Sequence, residues 1–224
     1  MDEIASIEDI QNLAVQGFKN WKQYGEVNVQ AQNELLIFNY STTAQYAGRW
    51  NFFERVSRGL IINFKTGEIA ARPFDKFFNW LEGGRRSSAH IVTVTEKIDG
   101  SLGVLYRTPA GYKISTRGSF TGMQSEWATI FLNEHHDLTD LPDELTLIFE
   151  IVYPDNRVIV NYGEREELVL LTVRNRHTGD YLPFFPDVYT LGQQFGFSVP
   201  KVYDFNNLTQ IIAQTGQIPA DEEG

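Results

Sequence analysis

Residues 96–101 read EKIDGS, within the longer stretch HIVTVTEKIDGSLGVLYRT that spans positions 90–108. Apolar and β-branched residues dominate both sides of this short polar sequence, which predicts two strands joined by a loop. Lys97 would then lie beside a buried strand, where a lysine costs stability unless its charge is paired or its amine takes part in chemistry. The Asp-Gly dipeptide that follows is also common in hairpin turns, so a solvent-exposed turn is the alternative interpretation.

The rest of the chain also consists largely of short predicted strands, several of them joined by tight turns. Strands are predicted at 34–41, 57–64, 68–74, 90–96, 101–108, 112–118, 145–153, 157–162 and 168–175. Helices are predicted after Ser6, where Asp9 completes a capping box, and at 125–136, 186–197 and 207–216. Ser125 would cap the second helix, and Gly196 and Gly216 would end the last two. This order predicts an α+β fold of mainly antiparallel sheets with flanking helices.

Composition limits the class of protein. The 224 residues suit an N-terminal helical segment (1–34) followed by one main domain (35–224). We expect no membrane partner and a cytoplasmic location, because neither a long apolar run nor a secretion signal occurs. The absence of cysteine excludes disulfides, thiolate catalysis and Cys-ligated zinc. A net charge of −10 argues against a protein that coats nucleic acid through bulk electrostatics, although arginines cluster locally.

Glu150 is a second candidate for chemistry, because it interrupts the otherwise apolar stretch LIFEIVY (147–153). Buried carboxylates are seldom left unpaired, so Glu150 should meet a cation, a metal or a ligand hydroxyl. A structural salt bridge with Arg157 is the alternative. No glycine-rich phosphate loop of the dinucleotide-binding or P-loop kind occurs, so a bound nucleotide would be held by other means.

Three stretches, taken in order, resemble the covalent nucleotidyltransferases, and most closely the ATP-dependent RNA ligases of the bacteriophage tRNA-repair type. They are SRGLIINFKTGEIAARPFDKFFNW (57–80), EKIDGS (96–101) and FEIVYPDNRVIVNY (149–162). They are similar to that family's upstream signature, its K-x-D-G lysine motif and its glutamate motif. The resemblance runs from about residue 35 to the last residue and implies the nucleotidyltransferase (ligase adenylation domain) fold.

The resemblance also implies a role for each matching position. Lys97 would attack the α-phosphorus of ATP and hold AMP as a phosphoramidate; AMP would pass to an RNA 5′-phosphate, and a 3′-hydroxyl would displace it to join the strands. Implied nucleotide contacts are Glu96, Ile98, Asp99, Gly100, Arg58, Lys76, Phe78, Arg117 and Glu150. Glu150 would also hold the divalent cofactor, Mg²⁺ or Mn²⁺. We interpret at least one of Phe77 and Phe78 as core packing.

The end of the sequence departs from the family pattern. Glu223-Gly224 is similar to the first two residues of a later motif whose glutamate binds metal, which makes Glu223 a second candidate metal ligand. The family's K-x-K pair has no counterpart, since Lys201 is the last lysine. We therefore expect an incomplete adenylation domain that is impaired in lysine adenylylation and lacks a C-terminal RNA-specificity domain.

Two alternatives stay open at this point. One alternative to the ligase interpretation is a non-catalytic nucleotide- or RNA-binding fragment of such a ligase. The other is another nucleotidyltransferase, of the DNA ligase or capping type, and the stretch ARPFDKFFN (71–79) argues against it. His135 and His136 invite a metal-site interpretation, but adjacent helical residues point about 100° apart, so we interpret them as helix-end residues. The tryptophans, at positions 21, 50, 80 and 127, are interpreted as core or rim packing.

Overall fold

The structure is a computed structural model that describes residues 3–17, 20–79, 93–204 and 213. The helices are α1 (Ile7–Val15), α2 (Thr42–Ala47), α3 (Phe52–Val56), α4 (Met123–His135) and α5 (Tyr189–Phe195). The strands are β1 (Val27–Gln32), β2 (Leu35–Tyr40), β3 (Arg58–Asn63), β4 (Ile69–Ala71), β5 (Val94–Thr95), β6 (Ser101–Thr108), β7 (Gly111–Ser115), β8 (Leu145–Val152), β9 (Glu167–Asn175) and β10 (Val202–Tyr203). The predicted α+β class is confirmed.

The first sheet has the order β1-β2-β3-β4, and all its neighbouring strands are antiparallel. Helix α1 packs its buried face, with Ile10 and Leu13, on this sheet. The predicted capping box is present, since Ser6 Oγ accepts from the Asp9 amide and Asp9 Oδ2 accepts from the Ser6 amide. β1 belongs to this sheet, so the segment 1–34, predicted as helical, also contributes a strand.

The second sheet has the order β7-β6-β8-β9 and is also antiparallel throughout. Its central strand β8 is almost entirely buried, and α4 and α5 pack against the same core cluster. A smaller cluster that includes Ile61 of β3 and Val104 of β6 joins the two sheets. Burying each large apolar side chain contributes about 1.5–3 kcal/mol, so this shared cluster fixes the sheets relative to each other.

Several predicted elements need correction. The segment 157–162 is not a strand; its backbone amides bind a side chain from the Lys97 loop instead, as described below. Ser125 does not cap α4, which begins at Met123 with Gly122 as its N-cap, and Ser125 Oγ donates to the Gly122 carbonyl. The strand predicted at 90–96 is described only as β5. The helix predicted at 207–216, with Gly216, lies outside the described residues apart from Ala213.

The remaining helix predictions hold. Helix α5 ends at Gly196, which adopts the left-handed conformation that favours glycine. Within the described part of the chain, no helix is long and apolar enough to cross a membrane.

His136 joins the end of α4 to the segment that follows α5. Its ring stacks on Phe197 with 4.1 Å between centroids, and its Nδ1 lies 2.9 Å from the Phe195 carbonyl oxygen. Because a carbonyl only accepts, Nδ1 carries the proton and donates. Burial lowers the pKa of His136 from the ordinary value of 6.5, so the fold favours the neutral ring.

We expect His136 to make stability depend on pH. A lowered pKa in the folded state contributes stability that is complete above the unfolded value of about 6.5 and is lost as pH falls through the folded value. The free energy of unfolding of the unaltered chain should therefore fall, relative to that of His136→Asn, between pH 7.5 and pH 5. Urea denaturation at both pH values measures this difference. Parallel pH dependence in the two proteins would contradict the assignment.

Candidate active site

A cleft of about 1010 Å³ is lined by residues from both sheets and from the loops beside them. Most of the predicted site residues line it: Arg58, Glu96, Lys97, Ile98, Asp99, Gly100, Arg117 and Glu150. They come from β3, from the loop between β5 and β6, from the loop after β7, and from β8. Residues far apart in the sequence are therefore brought to one concave surface.

Lys97 lies in the loop between β5 and β6 and reaches into the cleft. Its side chain is 71% exposed, and its Nζ lies 3.9 Å from Asp99 Oδ1. This distance is long for an ion pair, and because the Lys97 end of the pair is exposed to solvent the contact contributes little to stability. The amine is therefore accessible to a ligand in the cleft, and only a weak contact has to open before it can move.

Asp99 is buried and anchors the loop that carries Lys97. Its Oδ2 accepts hydrogen bonds from the amides of Ile159 (2.6 Å) and Val160 (2.9 Å), and its own amide donates to the Tyr162 hydroxyl at 3.0 Å. Hydrogen bonds to a charged acceptor are among the stronger ones in proteins. The segment 157–162 is held in a non-strand conformation by these contacts.

Gly100 lies against the backbone of β8. A Cβ atom at this position would come within 2.4 Å of the Ile151 carbonyl oxygen, closer than real Cβ contacts allow. The next residue, Ser101, pairs with Ile151 in the β6–β8 ladder. Only glycine lets the Lys97 loop enter β6 this close to β8, which explains why the lysine is followed so soon by a glycine.

Glu150 is a largely buried carboxylate on β8 that faces the cleft. Burial raises its pKa to about 7, and the positive charges of Lys97 and Arg58 oppose this rise. The alternative salt bridge with Arg157 does not form, because Arg157 Nε donates to the Ile159 carbonyl and, among the described residues, Glu150 has no cation within ion-pair distance. Its charge is only partly compensated, so a cation or a hydroxyl donor in the cleft would stabilise it.

Arg58 reaches the cleft from an irregularity in the pairing of β2 and β3. The strand register shifts where Arg58 pairs with Asn39. The next residue, Gly59, adopts a φ of +101° and packs closely against the Arg117 backbone. The Arg58 guanidinium lies 4.4 Å from the centre of the Phe77 ring, and its Nη1 is buried with no hydrogen-bond partner among the described residues. Burial lowers its pKa, although an arginine stays protonated at neutral pH.

Arg117 supplies a second guanidinium to the cleft, just after β7. Its Nη1 donates to the Tyr40 hydroxyl at 3.0 Å, and the group lies 5.0 Å from the centre of the same ring. Gly118, the next residue, fits because a Cβ atom there would meet the Asn39 side chain at 2.6 Å. Arg58 and Arg117 thus give the cleft two cations from opposite sheets.

Two predicted residues are not among those that line the cleft. Lys76 Nζ donates to the Phe77 carbonyl and lies 4.5 Å from the centre of the Phe78 ring, which in turn packs on Trp50. The core-packing interpretation of Phe77 and Phe78 is wrong, because their exposed fractions are 58% and 37%.

Asn39, Phe74 and Phe77 are among the residues of the cleft wall that sequence reasoning missed. Asn39 Oδ1 is buried and has no hydrogen-bond partner among the described residues, so it is a free acceptor that faces the site. Nothing in the pattern of β2 distinguishes this asparagine. Phe74 and Phe77 both lie in the stretch ARPFDKFFN, which could have indicated an aromatic wall.

The metal-site predictions are tested only in part. No group of three or more His, Asp or Glu residues able to hold a metal ion occurs in the described ranges, so His135 and His136 form no such site there. Their positions at and just after the end of α4 fit the helix-end interpretation. Glu223 lies outside the described residues, and Glu150 stays a predicted ligand.

We expect Asp99→Ala to destabilise the fold. The change leaves the amides of Ile159 and Val160 without their acceptor, and an unmet buried donor costs about 1–3 kcal/mol. Asp143→Ala is the matched control, because Asp143 pairs with Arg107 at the surface, where a lost ion pair costs at most about 1 kcal/mol. Chemical denaturation measures both. Equal losses in the two variants would show that Asp99 does not anchor the loop.

Comparison with known proteins matches the chain to RNA ligases. The family model described as RNA ligase, of the T4 RNA ligase 1 type, matches residues 56–223. The "Putative bifunctional polynucleotide kinase/RNA ligase" of Autographa californica nuclear polyhedrosis virus is 29% identical over 246 aligned residues, with 95% of this chain and 33% of that protein covered. The "Putative RNA ligase" of Thermovibrio ammonificans is 31% identical over 182 residues, with 77% and 47% covered. The chain thus spans between a third and a half of the length of these relatives.

Among solved structures, an archaeal ATP-dependent RNA ligase has a TM-score of 0.59 and 16% sequence identity, with 96% of this chain and 59% of that chain covered. This likeness shows a shared ligase nucleotidyltransferase fold, as predicted. Because the family model covers most of the sequence, including the Lys97 loop, β8 and both arginines of the cleft, the chain belongs to the RNA ligase family.

Proposed function

We propose that this chain is the adenylylation domain of an ATP-dependent RNA ligase that repairs broken RNA, with tRNA as the substrate of the type it resembles. The observation that carries the proposal is the cleft itself, where Lys97, Glu150, Arg58 and Arg117 meet. The domain would comprise residues 35–224, with β1 added to its first sheet, and would act in the cytoplasm. Its substrates are ATP and RNA ends that carry a 5′-phosphate and a 3′-hydroxyl.

The first step joins AMP to Lys97. The Lys97 ammonium first loses a proton, which frees the Nζ lone pair. Nζ then forms a bond to the α-phosphorus of ATP, the bond to the bridging oxygen breaks, pyrophosphate leaves with the electron pair, and the nitrogen releases a second proton to solvent. The Lys97–Asp99 contact of 3.9 Å has to open for this attack. Arg58 and Arg117 are placed to neutralise phosphate oxygens, and such electrostatic stabilisation is the main contribution that a protein makes to phosphoryl-type transfer.

The later steps move AMP to the RNA and then release it. An oxygen of the RNA 5′-phosphate attacks the α-phosphorus, the nitrogen–phosphorus bond to Lys97 breaks, and the amine regains its electron pair. The 3′-hydroxyl oxygen of the second strand then attacks the activated 5′-phosphorus, AMP leaves, and a phosphodiester remains. Asp99 and Gly100 serve these steps by holding the Lys97 loop against β8.

The proposal includes four further nucleotide contacts, and the cleft geometry supports two of them better than the other two. Glu96 and Ile98 line the cleft beside Lys97, which supports the proposal that they contact the nucleotide. Lys76 and Phe78 would have to act from outside the described cleft wall, for instance on phosphates that extend beyond it.

A divalent cation, Mg²⁺ or Mn²⁺, fits the donor set at Glu150. The carboxylate is buried, its pKa is raised, and no described cation pairs with it closely. Mg²⁺ is commonly held by one or two carboxylates together with waters and substrate phosphates, so a single protein ligand suffices. When bound, the ion would neutralise phosphate charge; Glu150, with Glu223 as a further candidate, would hold it.

We expect the intact protein to take a label from ATP labelled at the α-phosphorus and none from ATP labelled at the γ-phosphorus, with weaker labelling of residues 1–224 alone, since the sequence predicts impaired adenylylation. The label should be acid-labile, as a phosphoramidate is, and should be absent in Lys97→Ala. Lys113→Ala, which removes an exposed lysine of β7, is the control and should label normally. A label that persists in Lys97→Ala would rule out this nucleophile.

We also expect ATP rather than GTP as donor, and 5′-phosphorylated RNA rather than DNA as acceptor. The reason is membership in the RNA ligase family rather than in the DNA ligase or capping families. Gel electrophoresis of the labelled chain and of the adenylylated strand measures the two preferences separately. Preference for GTP would favour a capping-type enzyme, and equal use of DNA would favour a ligase without RNA specificity.

A further inference from the structure

An exposed series of aromatic rings borders the cleft on the side of Arg58. Phe74 contacts Phe77 edge-on, with 5.7 Å between ring centres, and stacks on Tyr181 at 5.9 Å. Phe77 and Tyr181 keep 58% and 43% of their surface exposed, although aromatic rings usually bury theirs. We call Phe74, Phe77 and Tyr181 the aromatic rim.

Each end of the aromatic rim carries a guanidinium group. Arg58 lies 4.4 Å from the centre of the Phe77 ring, and Arg174 lies 4.5 Å from that of Tyr181. Arg58 Nη1 is buried without a hydrogen-bond partner among the described residues. The charge of Arg174 is paired with Asp75, so Arg58 supplies the positive charge that the rim offers in the cleft. Flat apolar surfaces beside one guanidinium match a ligand that has flat rings and negative groups.

The aromatic rim is held rigidly from beneath by Arg174, which is almost fully buried. Its two terminal nitrogens donate to both carboxylate oxygens of Asp75 (2.9 and 3.2 Å) and to the Pro73 carbonyl, and its Nε donates to the Gly179 carbonyl. These bonds tie the segment that carries Phe74 and Phe77 to β9. Little ordering entropy is lost when a ligand binds to a surface that is already fixed.

The charge of the chain limits how it can hold a polyanion. With a net charge of −10, long-range attraction for RNA is absent, and the cleft itself mixes Arg58, Arg117 and Lys97 with Glu96, Asp99 and Glu150. Stacking of bases on aromatic rings does not depend on net charge, and single-stranded nucleic acids are commonly bound in this way.

We propose that the aromatic rim stacks the unpaired bases of the RNA end that takes AMP from Lys97, with Phe77 as the main contact. This inference rests on the proposed function, and it assigns the RNA-binding surface of the same site. RNA is favoured over a protein partner because Phe74 and Phe77 line the same cleft as Lys97, so a strand end in that cleft meets their rings.

A set of variants that changes only the ring tests the proposal. Fluorescence anisotropy with a 5′-phosphorylated, unstructured RNA measures affinity for the unaltered chain and for Phe77→Leu, Phe77→Tyr and Phe77→Trp. We expect Phe77→Leu to weaken binding roughly 5- to 100-fold, as loss of one stacked base does, while the two aromatic replacements retain binding. Tyr46→Leu is the matched control, because Tyr46 is an exposed aromatic residue (87%) on α2 outside the cleft.

Removing the base instead of the ring gives the decisive comparison. RNA with abasic nucleotides at its terminal positions should bind the unaltered chain as weakly as intact RNA binds Phe77→Leu, and should lose little more with that variant. The slope of log affinity against log salt concentration should be the same in both proteins, because the phosphate contacts are unchanged.

Several outcomes would overturn the proposal. The first is that the unaltered chain binds no RNA measurably, and the second is that abasic nucleotides weaken binding equally in the unaltered chain and in Phe77→Leu. The third is that Phe77→Leu lowers the affinity for ATP as much as the affinity for RNA. The fourth is that sedimentation shows two copies of the chain joined through the aromatic rim. Labelling of Lys97 by ATP reports the proposed function independently. If Lys97 is labelled normally but the Phe77 variants do not change RNA binding as expected, only the assignment of the aromatic rim is overturned.

Discussion

Gly100 lies so close to β8 that no side chain fits between them, and this close approach is the constraint on which the candidate site depends. The contact places the Lys97 loop directly beside Glu150, since β6 enters its ladder with β8 at the very next residue. Asp99 then holds the other side of the loop through two backbone amides. The motif is therefore one mechanical unit: the glycine allows the approach, the aspartate holds it, and the lysine two residues before the aspartate projects into the cleft.

The first sheet supplies the opposite wall through another close approach. Gly59 adopts a positive φ beside the Arg117 backbone, and Gly118 leaves room for the Asn39 side chain. In both places an arginine precedes a glycine, so the cation points into the cleft while the glycine lets the two backbones meet. The buried cluster shared by the two sheets supports this arrangement. The charges of the site are positioned mainly by backbone packing, which is stiffer than ion pairing at a surface.

Local patterns predicted the elements whose stability is itself local. The capping box of Ser6 and Asp9 and the helix end at Gly196 both follow from residues within one or two turns of each other. The segment 157–162 was predicted as a strand from its β-branched residues, yet its amides bind a carboxylate that lies about sixty positions earlier in the chain. A contact at that separation overrides strand propensity and leaves no local trace.

The site residues divide in the same way, into those that a local sequence pattern reveals and those that depend on distant contacts. Lys97, Asp99, Gly100 and Glu150 stand out because a polar or small residue interrupts an apolar run. Asn39 does not, since its access to the cleft depends on a register shift between β2 and β3 that sequence alone does not reveal. Phe77 was misjudged for a different reason: phenylalanine is among the residues most often buried, whereas this ring is 58% exposed, in a segment that Arg174 holds through Pro73 and Asp75.

Glu150 shows what such a site costs the fold. Raising the pKa of a carboxyl group from 4.5 to about 7 corresponds to roughly 3 kcal/mol of unfavourable free energy for the charged form, a sizeable part of the 5–15 kcal/mol that typically stabilises a domain. A core built for stability alone would place an apolar residue on β8. The same burial makes the carboxylate effective towards a ligand, because a cation that enters the cleft recovers that free energy as binding. A central strand of the second sheet thus carries a carboxylate whose charged form is disfavoured by burial and would be stabilised by a cation in the cleft.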